Sequence, residues 1–310
     1  MGDSHEVSVL VEDAFDDVGP LAQTYAVVIV HRGTLVVERY GGHIEHLDRA
    51  SEEVGPGTLL LSWSMAKSML HSAIGVLVGD GRLRVDDPAP VPRWKEPDDP
   101  RRDITIEQLL EMRDGLDFVE DYVDGSVSDV IEMLFGSGRS DVASFAAARD
   151  LLSPPGTRFN YSSGSTNILS GVISSKVGSG ERLRLFLRES LFEPIGALSA
   201  QPGLDQAGTW VASSYVHATA LDFARFGYRY RRDGVWNGVR LLPEGWVDHG
   251  RRARSIDPED GSLFGAHWWV VGDEYGSFRA SGYEGQSILV SPGLDLVVVR
   301  LGKTPADRYT

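Results

Sequence analysis

Apolar positions recur along this chain with two periods, and the two periods occupy different stretches. Near the N-terminus, Gln23–His31 is rich in Val, Ile and Tyr, and Thr34–Tyr40 follows after Arg32-Gly33. Two such runs around a short Gly-containing turn read as a hairpin. Near the C-terminus the runs are His267–Val271, Phe278–Ser281, Gln286–Val290 and Asp295–Leu301. Turn chemistry separates them, first Gly272-Asp273-Glu274-Tyr275-Gly276 and later Ser291-Pro292-Gly293. Between these ends the period is helical. Met65, Met69, Ile74, Leu77 and Val78 place a helix over Met65–Val78. Thr105-x-x-Gln108 is a capping box ahead of Leu109, Leu110 and Met112. Ser128 precedes Val130, Ile131 and Leu134; Thr219-x-x-Asp222 precedes Phe223 and Phe226; Ser179 precedes Leu183, Phe186, Leu187 and Leu191. Thr166–Val177 is a further helical run, and Trp236-Asn237-Gly238-Val239 reads as a small type I′ hairpin.

Strands at both ends with helices between them predict an α+β fold. Its antiparallel sheet is built from both chain ends and flanked by helices around a central, mostly helical region. The whole chain, residues 1–310, reads as one unit, with residues 18–62 and 263–301 forming the sheet and residues 63–262 the helical region. The acidic, Pro-rich stretch Pro88–Pro100 reads as a solvated loop.

Composition narrows the function classes. The chain has 310 residues, a net charge of −15 and no cysteine. That charge excludes a general affinity for nucleic-acid backbones or anionic membranes. Absent cysteines exclude disulfides, thiolate metal sites and thiol nucleophiles. The longest apolar stretches, such as Tyr25–Val30, fall far short of a membrane span. The acidic start lacks a basic n-region and an apolar h-region, so no signal peptide is expected and a cytoplasmic location is.

Several motifs are missing: G-x-S-x-G, G-x-G-x-x-G, the P-loop and H-E-x-x-H. His43-x-x-His46 has metal-compatible spacing but lies in a polar turn, so neither metal nor cofactor is expected. What is present is Ser64-Met65-Ala66-Lys67 at the start of a predicted helix. Residues i and i+3 share a helical face, so hydroxyl and amine can meet. The Ser64 N–H at a helix start has no intrahelical acceptor and can serve an oxyanion. The chain has 30 serines and 4 lysines, so chance supplies about 0.4 such pairs, and spacing alone decides little. The scarcity of lysine adds weight. With 30 Lys plus Arg in total, 26 of them are Arg, which stays protonated, whereas a buried lysine can be tuned toward the neutral amine. A second element, Tyr161-Ser162-Ser163, follows the turn Pro154-Pro155-Gly156 and precedes a helix. A third, Ser281-Gly282-Tyr283-Glu284-Gly285-Gln286, breaks a C-terminal strand with glycines, which allows close approach of a ligand to backbone.

These three elements, in this order, resemble the serine β-lactamase/penicillin-binding-protein-like hydrolases. The resemblance is nearest to the class C-like branch holding esterases, D-aminopeptidases and 6-aminohexanoate-dimer hydrolases. Further segments carry it: Gly81-Arg82-Leu83 leading to Asp86-Asp87-Pro88, Ile104–Leu110, Pro155–Ser163 and Ala224-Arg225-Phe226-Gly227. The resemblance implies a β-lactamase/transpeptidase-like fold with Ser64 as the acylated nucleophile and Lys67 and Tyr161 as its acid–base partners. It also implies an oxyanion hole from the N–H groups of Ser64 and Tyr283. Ser163, Ser281, Gly282, Trp269 and Tyr215 are the candidate substrate contacts, with His217 beside them. The expected substrate is a small ester or amide. β-Lactamase or D-aminoacyl peptidase activity, or a non-catalytic penicillin-binding-like scaffold, are the alternatives. A homodimer is compatible with the sequence, which leaves the oligomeric state open.

Two departures from the resemblance matter. Family members that grip a substrate carboxylate carry a cation where this chain has Ala280. Alternation is expected to turn the adjacent Arg279 to the other face, away from the site. The family also follows the last strand with a helix that covers the sheet, whereas here nine residues follow Leu301. The stretch His5–Asp17 or a partner then covers that face, or the chain is truncated.

Overall fold

The structure, a computed structural model, describes residues 4–45, 50–122 and 128–305. Eight strands form the main sheet: β1 (Gln23–His31), β2 (Thr34–Tyr40), β3 (Ser255–Ile256), β4 (Leu263–Phe264), β5 (Trp269–Val270), β6 (Phe278–Gly282), β7 (Gln286–Ser291) and β8 (Leu296–Lys303). Their order is β3-β4-β5-β6-β7-β8-β1-β2, and every neighbouring pair is antiparallel. Val299 is the register partner of both Val28 and Ile288, so the two chain ends are hydrogen-bonded side by side, with only β2 beyond them at that edge of the sheet.

Nine α-helices surround the sheet among the described residues: α1 (Ser4–Ala14), α2 (Met65–Gly79), α3 (Ile106–Leu110), α4 (Asp129–Phe135), α5 (Val142–Ala147), α6 (Ser163–Val177), α7 (Glu181–Leu187), α8 (Ala220–Arg231) and α9 (Trp246–Arg251). One sheet face buries Ala26, Val28, Ile288, Val290, Val297 and Val299 against α8, whose Phe223, Phe226 and Tyr230 are buried. Helix α2 is enclosed over Met65–Gly75 and packs on β6 and α6. Helix α6 is buried over Ser163–Ser170, hydroxyl groups included. Helices buried all round lie inside a domain, and their polar side chains must find partners there.

The predicted caps at Thr105, Ser128 and Thr219 form, and Thr105 with Gln108 closes the reciprocal capping box. Elsewhere the elements shift. Helix α7 begins at Glu181 after Gly180, and Ser179 makes no cap. The run His267–Val271 yields only Trp269–Val270 as strand, because His267 takes a left-handed φ of 58°. Strand β3 is two residues, too short to show a period, and extends the sheet into the stretch expected to be helical; β4, equally short, lies at the start of the stretch expected to form sheet. Pro88–Pro100 is not simply solvated. Ala89, Val91 and Trp94 are buried, and the Trp94 indole donates to the Ala147 carbonyl at 2.9 Å.

Helix α1 meets the sheet at its edge strand. Glu12 pairs with Arg39 at 2.6 Å, and the Arg39 guanidinium lies 4.4 Å from the Phe15 ring centre. Leu35 and Val36, earlier on β2, stay exposed. Among the described residues no helix is long and apolar enough to cross a membrane.

Candidate active site

Ser64 immediately precedes α2 and lines a cleft of about 930 Å³ with Tyr122, Tyr161, Trp269, Ser281 and Tyr283. The segment before it is tightly held. Trp63 has a left-handed φ of 45°, and the Ser62 hydroxyl donates to Ser214 O while accepting from Val216 N. The end of β6 lies against this segment. A Cβ on Gly282 would sit 2.4 Å from the Ser62 carbonyl, so only glycine permits the approach. The next residue is thereby carried toward the Ser62–Ser64 segment, and the rings of Tyr283 and Trp63 meet edge to face at 5.7 Å.

Lys67 lies one turn along α2, and its side chain is 3% exposed. Its Nζ donates to Ser64 Oγ at 2.9 Å, to Ser163 Oγ at 3.0 Å and to Ser213 O at 3.3 Å. Three acceptors are what an ammonium needs for its three N–H bonds. A carboxylate stands behind them, with Glu120 Oε1 3.9 Å from Nζ. Oxygens, not apolar groups, surround this amine.

Glu120 was not found from the sequence. Its carboxylate accepts from the Ser163 N–H (2.7 Å), the Ser163 hydroxyl (2.6 Å) and the Tyr122 hydroxyl (2.6 Å). Burial, and then the Glu120 charge, push the Tyr122 phenol far above its ordinary range, so it stays a hydrogen-bond donor. Its ring stacks on Tyr283 at 5.3 Å. Gly164 explains how the loop reaches this place. A Cβ there would lie 2.6 Å from the Phe118 ring, so its absence admits the Phe118–Tyr122 strap against the start of α6. An isolated Glu and Tyr in a loop carry no period or motif, and only the fold brings them in.

Tyr161 lines the cleft just ahead of α6, with its ring centre 4.8 Å from Lys67 Nζ. Trp269 stacks on it at 5.4 Å, and Phe264 meets it edge on at 6.1 Å. Trp269 therefore faces the cleft, whereas Trp268 is fully buried in the core. Ser281 and Gly282 also line the cleft. Ser163 does not. It is fully buried and joins Lys67 to Glu120, which makes it a link in the floor rather than a substrate contact. Tyr215 and His217 also lie outside the lining; His217 and Trp63 border a separate cavity of about 740 Å³.

The expectation about Arg279 is reversed. Ala280 is the residue turned into the core, at 1% exposure, while Arg279 is exposed on the cleft face with Ser281. Alternation held, but its phase was opposite to that assumed. Arg158 adds a second guanidinium to the lining, which also carries Asp117, Glu120, Asp121, Asp257, Glu259 and Asp260. Among the described residues no group of three or more His, Asp or Glu forms a set of metal ligands. His43 lies in a two-residue strand, and His46 lies outside the described residues.

The fold has counterparts. The chain matches the Beta-lactamase family over residues 20–307 and belongs to that family. It is 30% identical over 270 residues to the 6-aminohexanoate-dimer hydrolase of Paenarthrobacter ureafaciens, covering 79% of this chain. The chain spans 66% of that relative's length. A Bacillus anthracis protein provisionally described as a 6-aminohexanoate-dimer hydrolase superposes with a TM-score of 0.78 at 22% identity, over 97% of this chain and 78% of that one. A penicillin-binding protein homologue of Caulobacter crescentus gives 0.74 at 19% identity, over 98% and 92%. The α+β architecture expected from the sequence is the one these structures share.

Proposed function

We propose that this chain is a serine hydrolase that cleaves ester or amide bonds through an acyl-enzyme on Ser64. One observation carries the reading: a buried amine lies 2.9 Å from the hydroxyl of a half-buried serine that opens on a cleft. The relative named as a dimer hydrolase supports hydrolysis as the reaction class.

The contacts of Nζ favour one division of labour. With all three N–H bonds donated, Lys67 holds Ser64 in place beside the Tyr161 ring and leaves the proton transfer to Tyr161. Tyr161 takes the Ser64 proton as Oγ attacks the carbonyl carbon. The N–H groups of Ser64 and Tyr283 stabilise the tetrahedral oxyanion, worth about 3 kcal/mol per donor in comparable sites. Tyr161 returns the proton to the leaving alkoxide or amine, and the C–O or C–N bond breaks. It then takes a proton from the water that attacks the acyl-enzyme, and Ser64 leaves with that proton. Glu120 and Ser163 hold Lys67 from behind.

Labelling with a fluorophosphonate tests this. The expected result is a single adduct on Ser64 that Ser64→Ala abolishes. A well-folded sample that resists labelling supports the scaffold alternative instead. Turnover of a short-chain nitrophenyl ester well above that of nitrocefin is expected; the reverse assigns the site to β-lactams.

A further inference from the structure

Helices α2 and α6 carry the two halves of the site, and Lys67 with Ser163 is their direct contact there. A second tie lies just behind it. His267 is 2% exposed and touches three elements. Its backbone N–H and its Nδ1–H both donate to the Leu110 carbonyl at the end of α3, at 3.0 and 2.8 Å. Its carbonyl accepts the Ser68 hydroxyl of α2 at 2.6 Å. With the ring proton on Nδ1, Nε2 is an acceptor, and the Thr166 hydroxyl of α6 stands 3.0 Å from it. That hydroxyl's other acceptor, Ser162 O, is farther at 3.5 Å. Ser68 follows Lys67 directly, Thr166 lies one turn beyond Ser163, and Trp269, two residues after His267, is stacked on Tyr161. The left-handed backbone of His267 turns it out of the strand to reach all three.

Accepting the reading of Ser64, Lys67 and Tyr161 above, we infer that the Thr166–His267 hydrogen bond is a positioning contact for acylation. It fixes the spacing of α2 and α6, so that Nζ reaches Ser64 and Ser163 together. Neither residue lines the cleft, so substrate binding does not depend on it. Misplacement of catalytic groups by a fraction of an ångström lowers rate without altering affinity.

The test removes the contact from each end. Thr166→Val keeps shape and deletes the hydroxyl; Thr166→Ser restores it. His267→Asn keeps a residue tolerant of the left-handed backbone and a donor for Leu110. The Ser64 labelling rate and kcat are expected to fall about tenfold in Thr166→Val and in His267→Asn, with KM within about twofold. Thr166→Ser should match the parent, and the double variant should be no slower than either single one. Parental rates in Thr166→Val, losses that multiply in the double variant, or failure of Thr166→Ser to rescue would each overturn the proposal. Imidazole ¹⁵N spectra of the parent at pH 7 give a readout apart from activity. An Nδ1–H ring whose Nε2 signal moves in Thr166→Val is expected; an Nε2–H ring overturns the contact. Labelling of the parent away from Ser64 would instead sink the reading of the site, and the positioning role with it, whatever the ring spectra show.

Discussion

Two buried polar networks hang on helix α2, one turn apart. At its start, Lys67 is ringed by Ser64, Ser163, Ser213 and Glu120, and Ser64 opens on the cleft. One turn on, His71 is fully buried. Its Nδ1 accepts from the Tyr230 hydroxyl at 2.8 Å, and its Nε2–H donates to His249 Nδ1 at 3.1 Å. His249 Nε2–H donates in turn to Glu107 at 2.8 Å, and Glu107 pairs with Arg254. The Trp246 ring stacks on both imidazoles, at 4.6 and 4.5 Å. By inventory the second network is the richer in titratable groups, yet neither histidine lines a cavity wall of the cleft. Burial and hydrogen bonding among ionisable groups therefore do not by themselves mark catalysis. What separates the two networks is that one ends in a serine hydroxyl that opens on a cleft.

The largest effect that would test this contrast is on the open network. Lys67→Met is expected to lower the rate of Ser64 labelling by about 10³-fold or more, since it removes the cation that holds both Ser64 and Tyr161. Glu120→Gln keeps the shape but weakens the hold on Ser163, and a smaller loss of about 10–100-fold is expected. Stopped-flow labelling with urea melts of the same samples separates rate from folding. Equal rates in Glu120→Gln and the parent would remove the carboxylate from the site's machinery.

The closed network should answer in stability instead. His71→Phe cuts the chain between Tyr230 and His249 and is expected to destabilise by about 2–3 kcal/mol, with labelling per folded molecule within about threefold. The pH dependence carries a sign. Burial, and then the neighbouring histidines, hold His71 well below its ordinary value; burial brings His267 down to about 3. Both are neutral in the fold and protonate in the unfolded chain below about pH 6.5. The unfolded state binds more protons there, so stability is full above that pH and falls as pH drops. Each such histidine contributes at most about 1.4 kcal/mol per pH unit. The Glu107 carboxyl is held low by His249 and Arg254 against its own burial, so its contribution is lost only at lower pH, as the carboxyl protonates. Glu111 and Asp114 are raised by burial and give the opposite slope in that acid range. Between pH 6.5 and 5.5 the urea midpoint of His71→Phe should therefore fall less steeply than the parent's. Identical slopes would place His71 outside the titrating set.

The two networks were also unequally legible in the sequence. Ser64 and Lys67 are three residues apart on one helix, and local spacing states their contact. Tyr161 could be reached through its turn-then-helix setting and the resemblance. Glu120, Tyr122 and the His71–His249 pair could not. Glu120 meets Ser163 43 residues on, and His71 meets Tyr230 and His249 159 and 178 residues on; the Tyr122–Glu120 contact is local, but nothing local brings that pair to Ser163. The sheet was readable where strands ran six or more residues, as in β1, β2, β7 and β8, and unreadable at the two-residue β3. The phase of β6 was the one strand error with chemical consequence. Ala280 is small enough for either face, so alternation could not say whether Arg279 or Ala280 looked into the cleft.

That phase leads to the smallest expected effect. Arg279 is exposed, shares the cleft face with Ser281, and enters no ion pair among the described residues. Its Cα is register partner to that of Trp269, the residue stacked on Tyr161, so its side chain lies on the same side as the proposed acid–base group. An exposed charge at such a place acts through water and is worth little, about 1 kcal/mol or less. The effect should therefore be read as a ratio. Compare two nitrophenyl esters of equal length, one ending in a carboxylate and one in its methyl ester. Arg279→Ala is expected to lower kcat/KM for the carboxylate about three- to fivefold at low salt and to leave the methyl ester unchanged. At 0.5 M salt the difference should nearly vanish, because screening over a few ångströms removes an exposed interaction. The six acidic residues on the same lining, Glu120 among them, oppose any carboxylate, and they set the alternative outcome. If Arg279→Ala leaves the ratio unchanged, the guanidinium serves only to balance those acids, and the cleft selects against anions as a whole.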